Sequence, residues 1–411
     1  QGLWHDELYT LGNLVGFDIY LFPGADLSPT EPVRTAGSMA AVLEEDRFVE
    51  NLWRNLVHEG HPPLYLLMLK CWTLAFGTTI VWVRGFSVLC STLAIIAMMA
   101  VGTRAAGGAA GLAAGLLFAT SPYQVYFAAE SRSYSLMVLC AAVSTWAWLG
   151  LISEERRRDE VAWAIAVSAA CLTHYFGALY AGLLWLTLGA LQLSQSPARS
   201  TARVVVRRAL PLLAGVAWLP VLRLQTDTHG GSHWTEGRLP LVESVVAGIK
   251  APLEFLTSPH GSAAIGESLL AVCMLVISVG WLVVMRDRPW AKVGGVLLGV
   301  VSVHMMVVVA VDQAIDHHLV SVPRYSSSLA IPLLLVVAMS LTRLRSAGTV
   351  LLLTHAAFSL GAARDVGAGG RAPKQMLREV ASHLNDKVGA DALVLVSPSG
   401  PTLLGLSLYL R

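Results

Sequence analysis

The sequence is short of charge. Only 14% of its 411 residues are Asp, Glu, Lys or Arg, and its mean hydropathy is +0.60. Soluble domains carry roughly 25% charged residues, so this composition excludes an ordinary soluble protein and indicates an integral membrane protein. The net charge of +2 argues neither for nor against nucleic acid, and no nucleic-acid partner is predicted.

Cysteine is also scarce. All five cysteines fall in apolar segments, with no CxxC motif and no Cys/His spacing: Cys71, Cys90, Cys140, Cys171 and Cys273. This pattern suggests neither a disulfide framework nor a cysteine metal site. We therefore interpret them as small core residues.

Long apolar runs account for most of the chain. A hydrocarbon core about 30 Å thick needs roughly 20 helical residues. The sequence predicts ten spans, at 86–102, 108–123, 135–152, 160–174, 177–194, 208–224, 264–285, 291–311, 325–342 and 348–362. The connections on one side carry thirteen Lys and Arg, against five on the other. By the positive-inside tendency the richer side is cytoplasmic, so the N-terminal segment and the C-terminal tail lie outside.

These spans divide the chain into three parts and predict an all-α polytopic membrane protein. Residues 1–85 form an outer loop, in which "HPPLYLLMLKCWTLAFG" is too short to cross and predicts a helix at the membrane surface. Residues 86–362 form the bundle of spans. Residues 363–411 predict a short extracytoplasmic α/β segment with a helix, a turn and the strand "ALVLV". The initial Gln and the abrupt end suggest that both termini are truncated.

Polar residues gather on the predicted outer side. An ionisable residue at the edge of an apolar region is a functional candidate, since its desolvation must be offset. The candidates are Asp6, Glu7, Glu59, His61, Lys70, Glu130, Arg132, Tyr134, His174, Tyr175, His233, Trp234, Asp312, Asp316, His317, His318, Arg324 and Tyr325.

Structural alternatives exist for several of these residues. Asp6 is also a preferred residue for capping the helix "ELYTLGNLVG". Arg132 could pair with Glu130. His317 and His318 resemble metal ligands, but adjacent helical residues point about 100° apart, so they are unsuited to binding one ion together.

Five stretches in order carry a family resemblance. An acidic pair in the first outer loop is followed by "HPPLYLLMLKCWTLAFG", "SPYQVYFAAESRSYSLMVLCAA", "THYFGALYAGLLWL" and "PRYSSSLAIPLLLV". From Trp4 to about Ala338 the chain resembles the bacterial GT-C glycosyltransferases related to protein O-mannosyltransferases and the lipid A aminoarabinose transferase. Some relatives carry an acid where this chain has Gly60. The resemblance therefore leaves a divalent metal cofactor open.

The resemblance implies a GT-C-like helical bundle with juxtamembrane helices on its outer face. It also implies inverting transfer of a sugar from a polyprenyl-phosphate donor to an unidentified lipid, glycan or protein acceptor, outside the bacterial cytoplasmic membrane. Asp6 would be the catalytic base, with Glu7 orienting it. Cationic groups suited to the donor phosphate are Arg132, Arg324 and, more weakly, Lys70. The predicted substrate contacts are His61, Tyr134, His174, Tyr325, His233 and Trp234.

Competing functions remain open at this point. A multispan transporter or lipid flippase would more often show an inverted repeat and broken helices at the midplane, and the sequence shows neither. An outer-face ligase from another GT-C branch generally lacks the acidic pair followed by the proline pair. A noncatalytic scaffold would also keep the same hydropathy pattern.

Overall fold

The computed structural model describes residues 5–15, 47–153, 156–196, 198–227, 235–257, 264–367 and 383. Within these ranges the chain is helical and contains no β-sheet, apart from one isolated bridge between Glu236 and His317. The predicted all-α class is confirmed. The predicted α/β tail, His233 and Trp234 lie outside the described residues.

The helices of the described ranges follow one another along the chain. The first eight are α1 (His5–Val15), α2 (Phe48–His58), α3 (Leu64–Phe76), α4 (Ile80–Ala106), α5 (Gly108–Thr120), α6 (Pro122–Ala128), α7 (Tyr134–Ser153) and α8 (Arg157–Thr173). The rest are α9 (Tyr175–Gln195), α10 (Arg199–Ala209), α11 (Leu213–Asp227), α12 (Leu241–Leu253), α13 (Ala264–Val284), α14 (Pro289–Ile315), α15 (Ala330–Leu341) and α16 (Arg345–Gly367). A 3₁₀ segment, Pro323–Leu329, leads into α15.

Six helical stretches in the described ranges are long and apolar enough to cross a membrane: Ile80–Ala106, Tyr134–Ser153, Tyr175–Gln195, Arg199–Thr226, Pro289–Ile315 and Pro323–Leu341. Shorter apolar helices cover Gly108–Thr120 and Ser268–Val284, where two further spans are predicted. The chain is therefore a multi-pass membrane protein, while the number of ten spans stays a prediction. Helix α3 has only 13 residues, in agreement with the predicted helix too short to cross.

The core of the bundle lies around α15 and α7. Every residue of α15 is buried, as are most residues of α7. Surrounding helices expose large apolar side chains such as Ile96, Leu269 and Met306, which is the pattern expected where lipid is the solvent.

This lipid-facing surface corrects one prediction. Cys90, Cys140 and Cys171 are buried as expected, but Cys71 and Cys273 are exposed. Apolar sequence does not distinguish a protein core from a lipid-facing surface, because hydrocarbon accepts both.

Small residues bring α4 and α5 together. A Cβ added to Gly102 would lie 2.6 Å from the carbonyl oxygen of Ala110, and one added to Gly111 would lie 2.6 Å from that of Met99. The stretch "TRAAGGAAGLAAG" therefore permits the close helix approach that its composition predicts.

The bundle has two chemically different ends. The end where α4 leads into α5 and α7 into α8 carries Arg104, Arg157 and Arg208, and we call it the arginine-rich end. Helix α1 and the junction between α8 and α9 lie at the opposite end, which we call the cluster end. Successive connections between helices thus lie at opposite ends of the bundle, in agreement with the sequence prediction. The assignment of the cluster end to the outside stays a prediction.

Candidate functional site

Helix α1 is anchored at the cluster end through Glu7. Arg84, in the first turns of α4, donates to both carboxylate oxygens of Glu7, at 2.8 and 2.6 Å. The backbone N–H of Ser131 donates to the same carboxylate at 3.1 Å. Glu7 is only 1% exposed, so a fully compensated buried carboxylate fixes α1 against two other parts of the chain.

This anchoring also fixes the backbone around Asp6. Asp6 lies within α1, whose described part begins at His5, so it does not precede the helix as a cap would, and the capping alternative is wrong. Its neighbour Glu7 contacts Ser131, the neighbour of Arg132. The backbone beside Asp6 is therefore within the reach of one glutamate side chain from the backbone beside Arg132.

Glu59 is the centre of a second carboxylate cluster. The side-chain amide of Asn13 donates to Oε2 of Glu59 at 2.6 Å. On Oε1, the Nδ1 atom of His61 lies at 2.8 Å and the guanidinium of Arg132 at 3.2 Å. Arg132 also donates to the hydroxyl of Thr10 at 3.1 Å. Helix α1 is thus tied to Arg132 directly and also through Glu59.

The charge of Glu59 follows from these contacts. Burial by itself would raise its pKa, but the positive charge of Arg132 and the hydrogen bond from His61 outweigh burial and lower the pKa to about 2. Burial and the Arg132 charge lower the pKa of His61. At neutral pH the pair is therefore a carboxylate beside a neutral imidazole that donates from Nδ1.

His174 presents a buried donor beside this pair. It lies between α8 and α9, and its Nδ1 accepts the backbone N–H of Phe176 at 3.2 Å. Because Nδ1 accepts, the neutral ring carries its proton on Nε2. That nitrogen is buried and has no hydrogen-bond partner among the described residues. The ring centroid of His174 lies 4.8 Å from that of His61.

Burial holds His174 in this neutral form. Its pKa is well below the ordinary value, first because of burial and then because of the positive charges around it. The result is a neutral N–H donor with an unused hydrogen bond.

A second arginine meets the same aromatic group. The guanidinium of Arg324 lies 6.0 Å from the ring of Tyr134 and 5.6 Å from that of Tyr325. The Tyr134 ring lies 6.3 Å from that of His61 and 5.8 Å from that of His174. The structure therefore brings five predicted site residues into one group, which we call the His–Tyr–Arg cluster: His61, Arg132, Tyr134, His174 and Arg324. Tyr325 borders it, 6.0 Å from His174.

A small cavity opens into this cluster. It measures about 20 Å³, which is room for a water molecule. Its polar lining includes Thr10, Asn13, Glu59, His61, Arg132 and Ser133. Among the lining residues, Ser133 has a buried hydroxyl with no hydrogen-bond partner in the described part of the chain. A polar ligand has unused donors and acceptors here.

Lys70 lies apart from this cluster. Its Nζ donates to the carbonyl oxygen of Leu14 at 3.1 Å and lies 5.0 Å from the centre of the Phe48 ring. Leu14 is in the last turn of α1, where a cation is favoured by the exposed helix carbonyls. Lys70 therefore holds α1 against α2 and α3.

The described side chains at the cluster end do not form a ready metal site. Over the described residues no group of three His, Cys, Asp or Glu side chains is placed to hold an ion. Glu59, the nearest candidate, is already bonded to Arg132, His61 and Asn13. A guanidinium 3.2 Å away opposes a second cation at this carboxylate. His317 and His318 instead bond to Thr235 and Gly237.

Sequence reasoning missed two structural partners, Arg84 and Asn13. A signal for Arg84 was present. The predicted outer side has five basic residues: Arg84, Arg132, Arg238, Lys250 and Arg324. Three of them, Arg84, Arg132 and Arg324, lie at the cluster end. Basic residues on the side that is otherwise poor in Lys and Arg were therefore a signal for the site. Asn13 carried no comparable signal, because the sequence does not show which face of α1 packs against Glu59.

Part of this sequence matches a known protein family. The sequence model of the dolichyl-phosphate-mannose-protein mannosyltransferase family matches residues 60–218. No curated protein is significantly similar to this chain in sequence.

Two solved structures of ArnT from Cupriavidus metallidurans have a similar fold. The apo form matches with a TM-score of 0.53 and 15% identity, over 86% of this chain and 65% of that chain. The form bound to undecaprenyl phosphate matches with a TM-score of 0.51 and 16% identity, over 85% of this chain and 64% of that chain. This chain thus spans somewhat less than two thirds of the ArnT chains it matches. The family match, which covers less than half of this chain, and the similar fold agree with the predicted relationship to the GT-C glycosyltransferases.

Proposed function

We propose that this relative of the GT-C glycosyltransferases transfers a sugar from a polyprenyl-phosphate donor to an acceptor, with inversion at the anomeric carbon. One observation carries the proposal. Two arginines, a neutral histidine donor and a tyrosine from separate parts of the chain meet next to the backbone of the acidic pair. A transporter does not require this combination of phosphate-binding groups and a base at one end.

The donor phosphate would bind between Arg132 and Arg324. A guanidinium presents a planar fork of donors that matches phosphate oxygens. The Nε2–H of His174, which has no partner among the described residues, would supply a further neutral donor. The fold similarity supports a lipid donor, since ArnT was solved with undecaprenyl phosphate bound.

The reaction would be a single displacement. An acceptor hydroxyl oxygen attacks the anomeric carbon as the bond from that carbon to the phosphate oxygen breaks. The hydroxyl proton passes to the carboxylate of Asp6, and the bond electrons leave with the polyprenyl phosphate. The two arginines stabilise the negative charge that develops on the departing phosphate, which is commonly the largest contribution to catalysis.

Glu7 and Arg84 would act as positioning residues. Their paired contact fixes α1, and α1 carries Asp6. A base that is held in place avoids the cost of ordering it during the reaction. In this proposal Glu7 orients the base through the helix and accepts no proton itself.

The proposed location is the bacterial cytoplasmic membrane, with the cluster end facing outside. The distribution of Lys and Arg supports this orientation. The polyprenyl tail would remain in the lipid while its phosphate reaches the cluster at headgroup depth. The acceptor can be a lipid, a glycan or a protein.

A transfer assay on the protein in membranes or detergent tests the proposal. The probes are polyprenyl-phosphate hexoses and pentoses, together with lipid and peptide acceptors from the cell envelope. Replacing Asp6 by Asn should lower the transfer rate about 10²- to 10⁴-fold. Asp316→Asn is the matched control, because Asp316 is exposed and its positive φ of 60° is tolerated by Asn.

Two outcomes would overturn this proposal. If Asp6→Asn keeps activity within about threefold of the parent, Asp6 is not the base. If the parent transfers no sugar but moves a labelled polyprenyl lipid between leaflets, the transporter alternative is correct. Mass spectrometry of lipids that copurify with the protein would identify the donor sugar directly.

A further inference from the structure

A groove at the arginine-rich end of the bundle takes no part in the proposed mechanism. It lies between α8 and α10 and has a volume of about 520 Å³, which is within the range of small-molecule sites. Its charged lining consists of Arg157, Glu160, Arg207 and Arg208. Three arginines face one glutamate in this lining, so the groove is suited to an anion.

Hydrogen bonds fix the helices on both sides of the groove. The side chain of Arg208 is only 1% exposed, and its Nε donates to Glu160 at 2.9 Å. The indole N–H of Trp163 donates to the backbone carbonyl oxygen of Arg208 at 2.9 Å. The indole N–H of Trp185 donates to that of Val205 at 3.0 Å. These contacts hold α10 against α8 and α9, so the groove is formed before a ligand binds.

Two exposed arginines at the groove have donors available for a ligand. Arg157 is exposed and makes no side-chain hydrogen bond or ion pair with the described residues. Arg207 is 64% exposed and approaches Glu160 only to 3.4 Å, and such surface pairs contribute little to stability. Both guanidinium groups can therefore turn toward phosphate oxygens, which their planar forks match.

The groove also has an apolar wall. Val161 and Ala164 of α8 and Val204 of α10 complete its lining. Arg157, Val161 and Ile165 are spaced four residues apart, so they share one face of α8. Val161 is 50% exposed and Ile165 is 65% exposed. This face thus runs from a positive charge at the end of the bundle to apolar side chains, as a phospholipid runs from its phosphate to its acyl chains.

We propose that this groove binds an anionic phospholipid of the leaflet at the arginine-rich end. Its phosphate lies at Arg157 and Arg207, and an acyl chain covers Val161. Basic pockets between membrane helices are suited to anionic headgroups. A free phosphate ion would leave the apolar wall uncovered, and the amine of a zwitterionic lipid would be repelled by the arginines. The site is independent of the proposed sugar transfer.

Lipid titrations followed by native mass spectrometry test this site. The purified protein in detergent is titrated separately with cardiolipin, phosphatidylglycerol and phosphatidylethanolamine. The two anionic lipids should bind at lower concentrations than phosphatidylethanolamine. In the double variant Arg157→Gln, Arg207→Gln their binding should weaken at least about tenfold. The unfolding temperature without added lipid should stay at the parental value, because both side chains are exposed.

The matched control is the double variant Arg286→Gln, Arg288→Gln. These two arginines are exposed in the connection between α13 and α14, and the control loses the same charge outside the groove. Its anionic-lipid binding should stay within about twofold of the parental value. An equal weakening in both double variants would show attraction to the overall positive charge and would overturn the proposal.

Two further results would also overturn it. Phosphatidylethanolamine that binds the parent as tightly as the anionic lipids would remove the role of the arginines. Inorganic phosphate at the concentration of the lipid should not displace cardiolipin, because it cannot cover the apolar wall. Displacement would show that the groove binds an anion without acyl chains.

Discussion

The two ends of the helix bundle both bury arginine–carboxylate pairs, but they differ in the polar groups that lie beside those pairs. At the arginine-rich end, Arg104 donates to both oxygens of the fully buried Asp159, at 2.8 and 2.7 Å. Arg104 also packs over the Trp146 ring at 4.4 Å. This ion pair is closed, and it joins α4, α7 and α8.

At the cluster end the carboxylates of Glu7 and Glu59 are also paired, but a polar group beside them has no partner among the described residues. One oxygen of Glu59 is shared by His61 and Arg132, and the nearby Nε2 of His174 has no partner in the described ranges. A closed pair stabilises a fold, whereas unused hydrogen-bonding groups beside arginines cost stability unless a ligand satisfies them. This difference supports the proposal that the cluster end binds substrate.

The largest effect should come from removing one arginine at each end. Arg104→Met and Arg84→Met each leave a buried carboxylate without its main partner, which should cost about 3 to 5 kcal/mol of unfolding free energy. Activity per folded molecule should stay near the parental value in Arg104→Met. In Arg84→Met it should fall more than about tenfold, since α1 carries the proposed base.

Unfolding curves and transfer rates, scaled to the folded fraction, measure these two effects. Parental activity per folded molecule in Arg84→Met would show that the Glu7–Arg84 pair is structural only. An equal loss of activity in Arg104→Met would remove the functional distinction between the ends.

Lowering the pH should remove the difference in stability between the parent and a variant with a neutral residue in place of Glu59. Its pKa is lowered from 4.5 to about 2, so its contribution to stability is complete above pH 4.5 and is lost as the pH falls toward 2. The shift corresponds to about 3 kcal/mol. Glu59→Gln should therefore be less stable than the parent by about that amount at pH 7, and the difference should disappear near pH 2.

Denaturant unfolding in acid-stable detergent between pH 7 and pH 2 checks this convergence. A constant difference across the range would mean that the charge of Glu59 does not stabilise the fold.

The sequence predicted the class of fold because composition determines it. With 14% charge and long apolar runs, the chain can bury its backbone polar groups in lipid only as helices or a closed barrel. The small-residue stretch similarly predicted the close packing of α4 on α5. Apolar sequence did not reveal which face meets lipid, as Cys71 and Cys273 show.

The site was predictable only where charge was unexpected. Arg132 and Arg324 stood out because basic residues are uncommon on the predicted outer side, and both lie in the cluster. Contacts such as Asn13 with Glu59 depend on docking of distant segments, which local pattern does not encode.

A smaller effect, on KM for the lipid donor, is expected when an arginine at the cluster end is replaced by lysine. Replacing Arg132 or Arg324 by Lys keeps the charge but removes the planar fork. The loss of a charged hydrogen bond is worth about 1.5 to 3 kcal/mol, so KM for the lipid donor should rise at least about tenfold. Arg343→Lys is the control, because Arg343 packs over Trp290 at the arginine-rich end.

Donor titrations on the three variants measure this difference. Unchanged KM in Arg132→Lys and Arg324→Lys would contradict the phosphate assignment. A rise in Arg343→Lys as large as in the others would mean that lysine substitution acts through general destabilisation.

The smallest effect concerns Lys70, which was predicted as a phosphate ligand but contacts Leu14 and Phe48. If it serves to hold the end of α1, Lys70→Met should cost about 1 kcal/mol of unfolding free energy, the sum expected from a helix-end cation and a cation–π contact. KM for the lipid donor should then stay at the parental value, because Arg132 and Arg324 remain. Unfolding and donor titration of the same preparation distinguish the two roles. A raised KM with parental stability would restore Lys70 as a phosphate ligand and would extend the substrate-binding region beyond the His–Tyr–Arg cluster to the far end of α1.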